Sequence, residues 1–166
     1  MIIGLHDADK DPYIRTGKRR KNKAEFPNYA LMKISAYHKS RGDTVEWWSP
    51  MLTDRFDKIY SSKVFDFTEE NPYLPDWAIR GGTGYTDIPL NQELDPEIDA
   101  VFPDYSIYPA CDYAIGFLTR GCPNRCRWCV VPQKEGAVRP YRAWKDIVRP
   151  DSRKLVLMDN NILSCE

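Results

Sequence analysis

Three cysteines fall within eight positions of this chain, in the stretch TRGCPNRCRWCVVP at residues 119–132. Their spacing is C-x3-C-x2-C, with Cys122, Cys126 and Cys129 as the ligating candidates. Metal thiolate sites need deprotonated, convergent ligands, and a loop allows this because close cysteines can wrap around one ion or cluster. The chain has five cysteines, an odd count. A disulfide framework would spread pairs along the sequence instead of crowding three together.

The opening residues, MIIGLHDADKD, are apolar for only a few positions before charges begin. That is too short for a signal-peptide core, and no long apolar run follows, so a membrane span is not expected. These features place the protein in the cytoplasm, where crowded thiols point to metal. Zinc in a closed structural site takes four ligands, usually as two separated pairs. The triplet lacks a second pair, although Cys111 and Cys165 leave a four-thiolate site open. Three thiolates also suit an iron–sulfur cluster with one iron left for another ligand.

Before the cysteines the chain reads as alternating strands and one helix. MIIGLH is a short buried strand. FPNYALMKISAYHKSRGD is the clearest helix, with Pro27 in the first turn, apolar residues at helical spacing through Tyr37 and Gly42 as the stop. His38 is expected at the helix edge near its C-terminal end. TVEWW, FDKIYSSKVF and DWAIRGGTGY read as further strands, the last ending in a glycine turn. That order predicts an α/β fold, an N-terminal open sheet with crossover connections. Gly81, Gly82, Thr83 and Gly84 read as a tight turn and not a phosphate cradle, because no clear helix follows to present its N-terminus. Pro89, Pro96, Pro103 and Pro109 mark a linker or short helical turn between two units, residues 1–105 and 106–166.

Lys18, Arg19, Arg20, Lys21 and Lys23 form a basic run, read as a solvated loop because no aromatic platform accompanies it. Lys plus Arg (24) balances Asp plus Glu (24), which gives no bulk reason to expect nucleic acid or an anionic membrane as partner. After the linker, DYAIGFLTRG is an apolar strand that delivers the chain into the cysteine loop. A helical turn is expected around Trp144 to Val148. KLVLMD is a second apolar strand, ending in Asp159, Asn160 and Asn161.

Cys122-Pro-Asn-Arg-Cys126-Arg-Trp-Cys129 resembles the signature of the radical S-adenosylmethionine (radical SAM) superfamily, C-x3-C-x-aromatic-C, with Trp128 at the aromatic position. YAIGFLTRG resembles that family's first barrel strand. The resemblance implies that the three thiolates hold a [4Fe-4S] cluster whose open iron chelates S-adenosylmethionine (SAM). One electron, from a donor such as flavodoxin or ferredoxin, then cleaves SAM to a 5′-deoxyadenosyl radical that abstracts hydrogen from a substrate. Trp128 would lie against the cofactor. Asp159, Asn160 or Asn161 would accept from the SAM amino group, where the family often has Gly-Gly-Glu. The upstream region resembles the open, Rossmann-like domain of cobalamin-dependent members. It lacks their Asp-x-His-x-x-Gly motif, so no cobalamin is expected. A full eight-unit barrel takes about 250 residues, so the 55 from Asp112 onward hold about two strand–helix units. The expectation is a truncated partial barrel, completed by a C-terminal barrel fragment or partner chain. The alternative is a non-catalytic zinc or iron–sulfur module.

Overall fold

The computed structural model describes residues 1–13 and 26–165. The Lys18–Lys23 basic run lies outside the described residues. The chain divides into two compact units, Met1–Ile107 and Tyr108–Glu166.

The first unit is built on four parallel strands: β1 (Ile2–Asp7), β2 (Thr44–Trp47), β3 (Lys58–Ser62) and β4 (Ile79–Gly81), in the spatial order β2-β1-β3-β4. β1 is central and buried on both faces, which is why IIGLHD reads as a near-continuous apolar run. It pairs with β2 from Ile2↔Thr44 and with β3 from Ile3↔Lys58. The chain passes between β1 and β2 through helix α1 (Tyr29–Ser40). Asn28 caps it, its side chain accepting from Leu31 N at 3.2 Å. Pro27 therefore precedes the cap and does not sit in the first turn, contrary to the sequence expectation. Gly42, at φ 82°, ends the helix in the left-handed region.

Alternation along β1 sorts the core. Ile3 and Leu5 pack with Leu31 and Ile34 of α1 and with Ile98. On the other face Ile59 packs with Trp48, Phe56 and Ala78. Gly4 faces this side, where a Cβ would come within 3.1 Å of the Phe56 ring.

Both histidines are buried and have both ring nitrogens bonded. His6 Nδ1 meets Ser61 Oγ at 2.7 Å and Nε2 meets Asp11 Oδ2 at 2.7 Å, while Ser61 Oγ also meets the Tyr85 hydroxyl at 2.6 Å. His38 is held between Asp43 (2.7 Å) and the Tyr60 hydroxyl (3.1 Å). It was expected at the helix edge. It is only 4% exposed, because those partners satisfy the ring where water would otherwise have to.

The glycine turn is a close packing of backbone on backbone. Gly82 has φ 106°, and a Cβ there would run into the Lys63 carbonyl. A Cβ on Gly84 would sit 2.6 Å from the Phe65 carbonyl oxygen. Residues 63–65 thus lie directly against both glycines.

The proline-rich segment is a packed element of the first unit. Pro96 starts a short helix, α2 (Pro96–Ala100), at its first position, and Ile98 is buried. Lys33 Nζ donates to the carbonyls of Asp99 (2.7 Å) and Val101 (2.6 Å).

The second unit pairs β5 (Ala114–Gly116) with β8 (Leu155–Leu157) in parallel, register Ala114↔Leu155, as expected for the two apolar strands. Between them lie β6 (Thr119–Arg120), a four-residue helix α3 (Val131–Lys134), β7 (Arg139–Pro140) and a helical turn at Trp144–Asp146. β6 and β7 are antiparallel. A barrel unit would carry a full crossover helix here. Pro132, Gly136, Pro140 and Pro150 interrupt every run long enough to form one. The coarse expectation of a mixed α/β protein with parallel pairing holds, with few helices.

Asp104 tests the anchoring of the proline-rich segment on α1. Burial pushes its pKa up, but bonds from Lys39, Ser106 and Ser35 outweigh this and hold it at about 2, against 3.8 for a free carboxyl. A depressed pKa stabilises the fold above the unfolded value, and that stability is lost as pH falls through the folded one. Urea unfolding from pH 6 down to 2 should show Asp104→Asn flattening the acid loss and costing about 1 kcal/mol at neutral pH, after discounting for solvent screening. An acid limb unchanged by the substitution would contradict this assignment.

Candidate metal centre

The cysteine loop leaves β6 at Arg120 and returns through α3 to β7. Two glycines in the left-handed region make the turn possible, Gly121 (φ 80°) and Gly136 (φ 73°). A side chain at Gly121 would strike the Ala137 carbonyl, so its backbone lies directly against the returning strand. Cys122 N donates to Gly136 O at 3.2 Å, and Cys129 N to Cys126 O at 3.0 Å. These bonds close the loop at its base and within the motif.

Cys122, Cys126 and Cys129 line one cavity of about 470 Å³, together with Arg125, Arg127 and Gln133. All three are free thiols, Cys126 exposed and the other two partly so. Among the described residues, no three Cys, His, Asp or Glu side chains stand close enough to hold one metal ion. Cys111 and Cys165 do not line the cavity. Cys111 is buried, its Sγ donating to Tyr113 O at 3.3 Å. His6 and His38 belong to the other unit and are bonded there.

Two acidic residues hold the loop. Asp159, just past β8, accepts on Oδ1 from Leu118 N (3.1 Å), Thr119 N and Thr119 Oγ1 (2.6 Å). It fastens the end of one strand to the exit of its parallel neighbour. Most of its acceptor capacity is engaged there; among the described residues Oδ2 accepts from Leu118 N alone, at 3.2 Å. Glu135 accepts from Gly121 N (2.9 Å), Arg120 (3.0 Å) and Asn160 Nδ2 (3.1 Å). Asn160 is thus drawn to the loop base as well. Asn161 precedes the Ile162–Ser164 turn, and its carbonyl accepts from Ser164. Arg120 lies over the Phe117 ring at 4.2 Å. Burial lowers the Lys134 pKa, with Glu135 opposing and Arg120 adding to the effect.

Trp128 is 89% exposed and does not line the cavity. The structure therefore brings together the three cysteines, and Asp159 and Asn160 at the loop base, but leaves the Trp128 ring outside. Glu135 and Arg120 were missed by the sequence reading. A signal existed, since Glu135 is the only acidic residue between Asp112 and Asp146, in a stretch dense with arginine.

No family model matches the chain, and no curated protein or solved structure matches it either. No helix among the described residues is long and apolar enough to cross a membrane.

Asp159→Ala should deprotect the Leu118 and Thr119 amides in hydrogen exchange and destabilise the second unit by about 1–3 kcal/mol, the cost of orphaned buried donors. Unchanged protection at both amides would show that the carboxylate does not fasten the loop.

Proposed function

We propose that the chain is a radical SAM iron–sulfur protein, binding a [4Fe-4S] cluster and SAM for reductive SAM cleavage and radical chemistry on a substrate. The observation that carries this reading is that Cys122, Cys126 and Cys129, in the C-x3-C-x-aromatic-C spacing, line a single cavity in the loop between β6 and β7. Support for a cluster over zinc comes from the spacing and from the donor type: three soft thiolates in C-x3-C-x2-C with no second pair beside them, where a closed zinc site takes four ligands. The finer fold assignment, an open cobalamin-domain-like sheet followed by the start of a radical SAM barrel, rests on the same resemblance and on the parallel β5–β8 pair.

When bound, the cluster would supply one electron to SAM and an open coordination site for its amino and carboxylate groups. The residues around it have separate tasks. Asp159 fastens the loop to β8, so the thiols keep a fixed relation to the strand ends. Glu135 seals the loop base by taking the Gly121 N–H and neutralising Arg120. Asn160, Asn161 and the less engaged Asp159 Oδ2 offer oxygen acceptors for the SAM ammonium group. An acidic redox protein such as flavodoxin or ferredoxin is the natural electron source.

Anaerobic reconstitution with iron and sulfide, followed by absorption and electron paramagnetic resonance spectra, tests the proposal. The expected result is a cluster whose reduced spectrum changes on adding SAM. It should be lost in Cys122→Ala, Cys126→Ala and Cys129→Ala and kept in Cys111→Ala and Cys165→Ala. A colourless protein carrying zinc, or full cluster retention in Cys126→Ala, would overturn it.

A further inference from the structure

The balanced charge of the whole chain conceals a division. The cysteine-bearing unit holds ten Lys and Arg against six Asp and Glu, net +4, while the first unit holds fourteen against eighteen, net −4. Most arginines of the cysteine unit are engaged. Arg120 pairs with Glu135 at 3.0 Å, Arg149 pairs with Asp151, and Arg139 donates to Glu135 O at 2.6 Å. Arg142 lies over the Tyr141 ring at 4.9 Å. Arg125, Arg127 and Arg153 are left without such partners among the described residues, and of these only Arg125 and Arg127 line the cysteine cavity. Both are exposed.

Between Arg127 and Cys129 stands Trp128, with 89% of its surface in water and its ring outside the cavity. An indole left this open gains a great deal from a planar partner. Two guanidiniums without a partner among the described residues and a bare indole stand within four consecutive positions of the cysteine loop. Phosphates and planar bases alternate along a nucleic acid strand, and this rim offers a counterpart to each. A duplex hides its base faces in the stack and gives the indole nothing to cover. An acidic protein surface offers carboxylates but no matching plane.

We propose that the rim of the cysteine cavity binds single-stranded nucleic acid, with phosphates on Arg125 and Arg127 and a base stacked on Trp128. A base stacked on Trp128 is held by the residue that precedes Cys129, out of any duplex stack and open to chemistry that a stacked base would escape. The inference names the substrate class of the chemistry proposed above and to that extent rests on that reading. The binding itself needs only the loop.

The test uses the full chain after anaerobic reconstitution, with the cluster spectrum and its response to SAM recorded on the same sample. Binding of a labelled short oligouridylate is followed by fluorescence anisotropy across a salt series. Two phosphate contacts on a single strand should give a slope of log affinity against log salt of about −1.4. The R125E/R127E double variant should lose roughly tenfold or more in affinity and most of that slope. Trp128→Ala should lose roughly tenfold, and Trp128→Phe should recover much of the loss, because a smaller ring still stacks. Affinity indifferent to these changes, equal binding of a duplex of the same length, or failure to bind the oligonucleotide while an acidic flavodoxin binds through the same arginines would each overturn the proposal. Oligonucleotide binding with the expected variant losses but no SAM-responsive cluster would uphold the rim and refute the radical chemistry. A SAM-responsive cluster without oligonucleotide binding would do the reverse.

Discussion

The grip of Asp159 on the Leu118–Thr119 junction is the constraint on which the cysteine-bearing unit depends. β5 and β8 are each three residues long and share a single parallel register, too little backbone pairing to define a structure alone. One carboxylate at the end of β8 collects two backbone N–H groups and a hydroxyl from the exit of β5. Charge-assisted bonds of this kind are stronger than neutral ones and directional. They carry the strand pairing forward into the loop, so that the first cysteine leaves the sheet at a set place. Glu135 repeats the device on the returning side, and the two glycines allow the backbones to meet.

The first unit solves a different problem with the same chemistry. Its central strand is buried on both faces and ends in His6 and Asp7, polar groups that cannot be left bare. Asp11, His6, Ser61 and Tyr85 form a continuous chain of bonds, each group meeting the next within 2.6–2.7 Å. Asn71 adds a further donor to Asp11 at 2.7 Å. Buried polar groups are expensive when unpaired and rigidifying when satisfied, so this chain ties β1, β3 and the turn after β4 into one arrangement. On the helical side Lys33, Ser35 and Lys39 of α1 perform the same task for the residues that close the unit.

Much of the backbone could be read in advance. The strands β1 to β4, helix α1 and the pair β5 and β8 all follow from apolar runs, β-branched residues and glycine stops, signals set by neighbours in sequence. The glycine turn was correctly read as a turn, because glycines beyond a strand with no helix to follow suit a tight reversal. The β6–β7 hairpin was not legible. Its strands have two residues each, and its existence depends on Gly121 meeting Ala137 across a loop. The depth of His38 was missed for a related reason: its partners Asp43 and Tyr60 come from a turn and from a strand that only the fold brings beside it.

By itself the sequence determined the spacing of the three thiols, the alternation of strands and helix, and the charge and ring type of every group on the loop. These are covalent facts, and the local rules of periodicity and turn chemistry act on them directly. Only the tertiary structure decided that the three cysteines line one cavity, that Asp159 and Glu135 are turned to loop support, that Arg125 and Arg127 line the cavity without a partner among the described residues, and that Trp128 is left exposed outside it. Whether a side chain is spent or free depends on which distant groups reach it. That is set by packing between segments far apart in the chain, which no local pattern records.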